Sequence, residues 1–470
     1  MTIPRRKFLC RSFGAFGAAA LAFERFGLLN ALAQSADYRA LVGIFLFGGN
    51  DSGNMVIPYD DYSTYAAARQ PSGLAIPQSS LLPIDVPSLR SRFGLHPSLT
   101  GLQALWEDGR AAVVCNVGPL VEPTNRDAYR NGTVRIPPNL FSHSDQVNQW
   151  QTSVSTGTGG TGWGGRTADR IGDLNATSFP LVTSTAGTPI FTAGNVERPL
   201  AIAAAPTRLD AALRLDGFGN PPDDDARYVA LQNVLLVDQD KTLVRGASRV
   251  TGEAVAMERA LRFAGNPAAP PFPLNPRTSL GNQLEQVAKL ISLRNELGMR
   301  RQIFFCSLGG FDTHSAQVAG GNPAAGTHAT LLSQVSDAMR AFYDATVALG
   351  VASQVVTFTF SDFSRTHVPN GNLGTDHAWG SHQFVVGGPV LGGDFYGVVG
   401  SNGTVFPTLA PSGPDDTDDG RNARGRWIPR TAIDQYGGTL VSWLGVSGAD
   451  LPAVFPNIGR FGSATLGFLS

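Results

Sequence analysis

The chain has 470 residues, 36 Lys and Arg against 37 Asp and Glu, and a formal net charge of −1. At 42% hydrophobic it can bury a large core, and its charge balance offers no basic patch for nucleic acid or an anionic membrane surface. Three cysteines in this length exclude a disulfide framework.

The chain begins with an address. Arg5-Arg6-Lys7-Phe8-Leu9 reads as a twin-arginine export box, and the apolar stretch from Phe13 to Phe23 behind it is too short to span a bilayer. Ala31-Leu32-Ala33 offers a small-x-small cleavage site. Residues 1–33 are therefore expected to be a signal peptide, and the protein to be periplasmic or secreted without a membrane anchor. Losing Arg5, Arg6, Lys7, Arg11, Arg25 and Glu24 with that peptide moves the net charge from −1 to −5.

Apolar runs rich in β-branched and aromatic residues follow, without polar alternation. They are Ala40–Phe47, Ala111–Val117, Phe179–Thr183, Gln302–Leu308 and Gln354–Phe360. Such runs predict strands covered on both faces, hence a parallel sheet. Helical spacing of apolar residues marks Leu99–Glu107, Asn282–Leu297 and His328–Leu349 between them. The reading is one α/β domain over 34–470, a doubly wound, mostly parallel sheet with helices on both faces. Ser153–Gly165 is expected to be a flexible loop, residues 186–265 a cap insertion, and Pro407–Pro429 a polar surface loop. Cys115 and Cys306 lie in apolar runs and read as buried.

In open parallel sheets, ligands bind beyond the carboxyl ends of the strands. Three of the predicted strands deliver acids there: Asp51 after the first, Asp312 with His314 after another, and Asp362 with Arg365, then Asp376-His377, after the last. Carboxylate oxygen and imidazole nitrogen suit Zn²⁺ foremost, with Mn²⁺, Mg²⁺ or Ca²⁺ as alternatives. His328, His367 and His382 read as surface or capping residues, and His96 as a cap. Phe141-Ser142-His143-Ser144-Asp145-Gln146 reads as a loop entering a helix, where a serine lies beside free N–H groups. Spacing does not separate Ser142 from Ser144.

Leu46-Phe47-Gly48-Gly49-Asn50-Asp51-Ser52, the stretch from Asn139 to Gln146, Gly162-Trp163-Gly164-Gly165-Arg166, Gly310–His314, Ser361-Asp362-Phe363 through Asp376-His377, and Phe455-Pro456-Asn457 follow one another in order. This ordered set resembles the exported bacterial family called domain of unknown function 1501, over most of the chain beyond the signal. The resemblance implies an alkaline-phosphatase- and sulfatase-like fold, whose enzymes commonly bind two metals. It casts Asp51 as the first-strand ligand and Ser142 as the nucleophile. It further implies Asp312, His314 and His377 in one metal set, with Asp362 completing the other. Phe363 stands where that pattern expects histidine, and the gap between Asp312 and His314 is short. Asp376 or His143 could stand in for the missing ligand.

Two functional readings result. One is an exported hydrolase or transferase of a phosphate or sulfate ester, on a small molecule or glycan, with one or two divalent ions; Arg365 would grip the anion, and Arg166 is a lesser candidate for that role. The other is a non-catalytic exported binding protein that keeps the fold and one metal or none.

Overall fold

A computed structural model describes residues 37–211, 226–274 and 276–470. The expected signal peptide, residues 1–33, lies outside the described residues. No helix among them is long and apolar enough to cross a membrane.

In chain order the elements are β1 (Arg39–Leu46), β2 (Val56–Pro58), α1 (Tyr62–Arg69), β3 (Leu82–Val86), β4 (Ser91–Leu95), α2 (Thr100–Glu107), β5 (Ala111–Gly118), α3 (Arg126–Asn131), α4 (His143–Thr152) and α5 (Trp163–Ile171). Then come β6 (Val182–Ser184), β7 (Leu200–Ala201), α6 (Ala226–Val234), α7 (Thr242–Ala264), α8 (Ser279–Ser292), β8 (Arg301–Leu308), α9 (Thr327–Ala348) and β9 (Val355–Ser361). β10 (Ser381–Gly387), β11 (Phe395–Tyr396), β12 (Thr431–Ala432), α10 (Ile433–Leu444) and α11 (Leu451–Val454) complete the chain.

The main sheet runs β11-β5-β10-β9-β1-β8-β6-β7, with β12 also paired to β5. β10 alone runs antiparallel to its neighbours. A small antiparallel sheet, β2-β4-β3, sits apart. The mixed, mostly parallel α/β architecture expected from the apolar runs is present. β1 explains why those runs do not alternate. Ala40, Val42, Ile44 and Leu46 enter one core, with α2, α8 and α9. Leu41 and Phe45 enter the other, under α5 and α10. Each fully buried large side chain contributes roughly 1.5–3 kcal/mol.

Register positions the site. Leu46 pairs with Leu308 on one side and with Ser361 on the other. The chains leaving β1, β8 and β9 therefore emerge side by side at one rim. Phe47 N–H donates to Leu308 O (2.9 Å) and Phe311 N–H to Phe47 O (3.1 Å), which ties two of these exits together.

Several local expectations are corrected. Trp163–Gly165 is the first turn of α5, because a Cβ on Gly162, Gly164 or Gly165 would strike the backbone of residues 190–194 or the Phe191 ring. Residues 186–265 contribute β7 to the sheet edge, besides α6 and α7. The 407–429 segment is not merely a surface loop, since Asp415 and Asp416 within it are buried. His328, His367 and His382 are core residues. Burial holds His328 down to about 4 and His367 and His382 down to about 3, so they are neutral. His96, also buried, accepts from Ser98 N–H through Nδ1 (3.0 Å), a bond that lies just before α2 and does not cap it. Both described cysteines are buried and free.

Candidate metal centre

Four side chains converge at the rim. Asp312 Oδ1 lies 3.4 Å from His143 Nε2, 3.2 Å from His314 Nε2 and 3.5 Å from His377 Nε2. His314 Nε2 and His377 Nε2 are 2.8 Å apart. The ligand atoms of His143, Asp312 and His377 all lie within 4.8 Å of one another.

Each element is built to deliver its side chain. β8 ends at Leu308, and Gly309-Gly310 turn the chain so that Phe311 is buried and Asp312 faces out. Gly48, at φ +112°, approaches so closely that a Cβ would sit 2.3 Å from Asp312 N. His143 opens α4, with Ser142 at the N-cap. The turn before α4 puts Asn139 and Phe141 at φ of 53° and 70°, a strained conformation for residues with side chains. His377 arrives on the returning chain, where a single antiparallel bridge ties it to Arg365.

The outer partners fix the tautomers. His143 Nδ1 faces Asp362 Oδ2 at 2.7 Å, His314 Nδ1 faces Asp376 Oδ1 at 3.0 Å, and His377 Nδ1 donates to Phe141 O at 2.6 Å. With hydrogens on Nδ1, three Nε2 lone pairs and one carboxylate oxygen point at a common place. Two lone pairs 2.8 Å apart repel unless a proton or a cation lies between them. His143 Nε2 is shielded from solvent and has no hydrogen-bond partner. The four spacings lie near the edge of about 3.3 Å expected of a tetrahedron with ~2.0 Å bonds. The group close enough together to share a divalent ion is His143, Asp312 and His377, with His314 beside it.

The electrostatics agree. Burial disfavours the Asp312 charge, but Arg365 overrides it and holds the carboxyl below its usual range. The hydrogen bond to Asp362 raises the His143 pKa against burial, whereas burial lowers that of His377. A proton and a metal ion therefore compete for His143 Nε2. Phe363 packs its ring 4.8 Å from His143 and 4.6 Å from His377. Gly49, at φ +83°, makes room for that ring, which a Cβ would meet at 2.4 Å.

Of the eight residues expected at the site, Asp312, His314 and His377 come together in the cluster, and four take other places. Asp362 and Asp376 stand behind His143 and His314 as orienting partners. Asp51 is fully buried elsewhere: Arg69 binds it through Nη1 (2.5 Å) and Nη2 (2.9 Å), and Gln317 donates to it at 2.5 Å. Arg69 and its hydrogen bonds outweigh burial and lower the Asp51 pKa to about 2. Arg365 is sealed as well. It donates to the carbonyls of Gly48, Gly49 and Thr375 and to Asp312, with no free face for an anion. Arg166 likewise donates to the carbonyls of Thr152, Thr161 and Val454. Ser142, the eighth, precedes His143; its Oγ donates to Asp145 Oδ2 (2.6 Å) and lies 3.2 Å from Ser144 Oγ. His143 was read only as a substitute ligand. The available signal was its place at a helix start between two serines.

The sequence profile of one family, described as proteins of unknown function (DUF1501), matches residues 38–406. The chain belongs to that family. The DUF1501 match contains all four converging side chains and the outer partners Asp362, Asp376 and Phe141. It ends before Arg424 and Arg426, whose side chains also reach the DUF1501 site. No curated protein matches the chain.

Proposed function

We propose that the protein is an exported, metal-dependent hydrolase of a phosphate or sulfate ester with an alkaline-phosphatase-like fold, holding one divalent cation on His143, His314, His377 and Asp312. The observation that carries this reading is the set of three imidazoles, each fixed through Nδ1, with Nε2 turned toward one carboxylate oxygen. Side-chain exposures of 50% for Asp312 and 46% for His314 leave the cluster open to a bulky substrate such as a glycan ester.

The bound cation would supply Lewis acidity at an ester oxygen and lower the pKa of a coordinated water. The chain's own residues do the rest. His143 is the first residue of α4, so the positive dipole end of that helix lies beside the cluster, with Asp145 in its first turn. Ser142 Oγ is the nucleophile candidate, held by its hydrogen bond to the Asp145 carboxylate at 2.6 Å.

One observation favours the second reading, a binding protein without turnover: Arg69 occupies Asp51 and leaves no second metal position there. Purified exported protein, assayed for zinc content and for turnover of aryl phosphates and aryl sulfates, separates the readings. Turnover lost in Ser142→Ala with zinc retained supports the hydrolase. Zinc without turnover supports the binder, and a protein that takes up no divalent metal sinks the hydrolase.

A further inference from the structure

We propose that the segment from Ser412 to Arg430 is a strap that presets the histidine cluster, with Arg424 and Arg426 as positioning residues. This rests on the reading that the cluster holds a cation, and it goes beyond that reading in assigning a function to chain outside the DUF1501 match.

The two arginines flank Gly425, whose φ of 68° turns the chain between them. Each secures the outer partner of a different imidazole. Arg424 Nη2 donates to Asp376 Oδ2 at 2.9 Å, while the other oxygen of Asp376 faces His314 Nδ1 at 3.0 Å. Arg426 Nε donates to His377 O at 3.0 Å, and its guanidinium lies 5.1 Å from the centre of the Phe141 ring. Phe141 O is the acceptor of His377 Nδ1. Phe141 sits at φ 70°, where a bulky residue stays only when its surroundings impose it. Arg426 holds the ring from outside, and Gln146 Oε1 accepts from the Phe141 N–H at 2.7 Å.

The strap has its own internal order. Asp416 accepts backbone N–H bonds from Ser412 (3.0 Å), Asp418 (3.0 Å), Gly425 (3.1 Å) and Arg426 (2.9 Å). Asp418 pairs with Arg426 Nη1 through both oxygens at 3.0 Å and accepts from Arg424 N–H at 2.9 Å. The Arg426 guanidinium and the Arg424 backbone are thus held by contacts that need no metal. The strap fixes two of the three imidazole rings in advance, which removes ordering that the ion would otherwise impose.

The test is zinc affinity, measured by competition with a chromogenic chelator on the full exported chain, together with the visible spectrum of the Co²⁺-loaded protein. Outer-partner changes cost about 10–100-fold in affinity. Arg424→Gln and Arg426→Gln should each weaken zinc at least ~10-fold and shift the Co²⁺ bands. Phe141→Leu, which removes the ring face but leaves the strap's charges alone, should do the same. Arg430→Gln is the control: Arg430 lies in the strap but pairs with Asp415 (2.6 Å), so affinity should hold. A strap that served folding alone would lower the thermal midpoint in all of these variants and move affinity in none. Wild-type binding with unchanged affinity in Arg424→Gln, Arg426→Gln and Phe141→Leu overturns the strap and leaves the metal reading standing. A wild-type chain that binds no zinc or cobalt overturns both.

Discussion

Asp362→Asn is a close-to-isosteric change that isolates the outer partner of His143. The carboxylate now accepts at 2.7 Å from His143 Nδ1, and both of its oxygens lie 3.2 Å from Gly48 N. An amide meets these demands less well than a carboxylate. If its NH₂ faces Nδ1, the imidazole must keep a lone pair there and turn its hydrogen onto Nε2, into the ligand cluster. If its oxygen faces Nδ1, the NH₂ faces the Gly48 N–H. Either arrangement weakens one ligand without removing it. The expected loss of zinc affinity is about 10–100-fold, or roughly 1.4–2.8 kcal/mol. Competition titration against a chelator of known affinity measures it, and the thermal midpoint of the metal-free protein checks that the fold survives. Equal affinity in wild type and Asp362→Asn at equal stability would refute the tautomer argument on which the cluster's assignment rests.

Four other outcomes are expected. His377→Ala should abolish stoichiometric zinc in elemental analysis, because it removes one Nε2 and releases Phe141 O. Asp51→Asn should leave zinc in place but destabilise the protein by about 3–5 kcal/mol in chemical denaturation, because Arg69 is left as a buried charge without its partner. In wild type, the Asp51 pKa of about 2 against 3.8 means stability that is fully present above about pH 4 and lost as pH falls toward 2; the contribution is about 2 kcal/mol. Denaturation midpoints across that window should lose this slope in Asp51→Asn. Asp434 has the opposite sign: burial raises its pKa from 3.8 to about 7, so stability falls as pH rises through that interval. Asp434→Asn can still meet Ser153 and the Asn457 N–H, and should stabilise the protein at pH 8 by up to about 4 kcal/mol.

The strands of the sheet centre were legible because both faces are covered, which makes their sequences continuously apolar. β10 was not, because it opens with Ser381, His382 and Gln383, polar residues that the core satisfies only in three dimensions. His382 stacks on Phe406 at 4.7 Å, and Gln383 Oε1 accepts from Thr359 Oγ1 at 2.9 Å. The rim was legible for the same reason as the strands: register carries Asp312 and Asp362 to the exits on either side of β1. Their division of labour was not, since a strand-end acid that binds metal and one that orients a histidine look alike in sequence. Asp51 reads as a ligand until Arg69 is brought against it by α1, and the intervening residues carry no local mark of that pairing. His143 comes from a separate helix, so no spacing rule ties it to Asp312 or His377.

The family signature ends at residue 406, but the sheet does not close there. Helix α10, Ile433–Leu444, lays Tyr436, Leu440 and Val441 over the side of the sheet that carries Leu41 and Phe45, and Tyr436 bonds Thr359 O at 3.0 Å. A polypeptide cut at the signature's last residue would leave that greasy surface wet. Its expected fate is precipitation, and a failed assay on such a fragment would say nothing about chemistry.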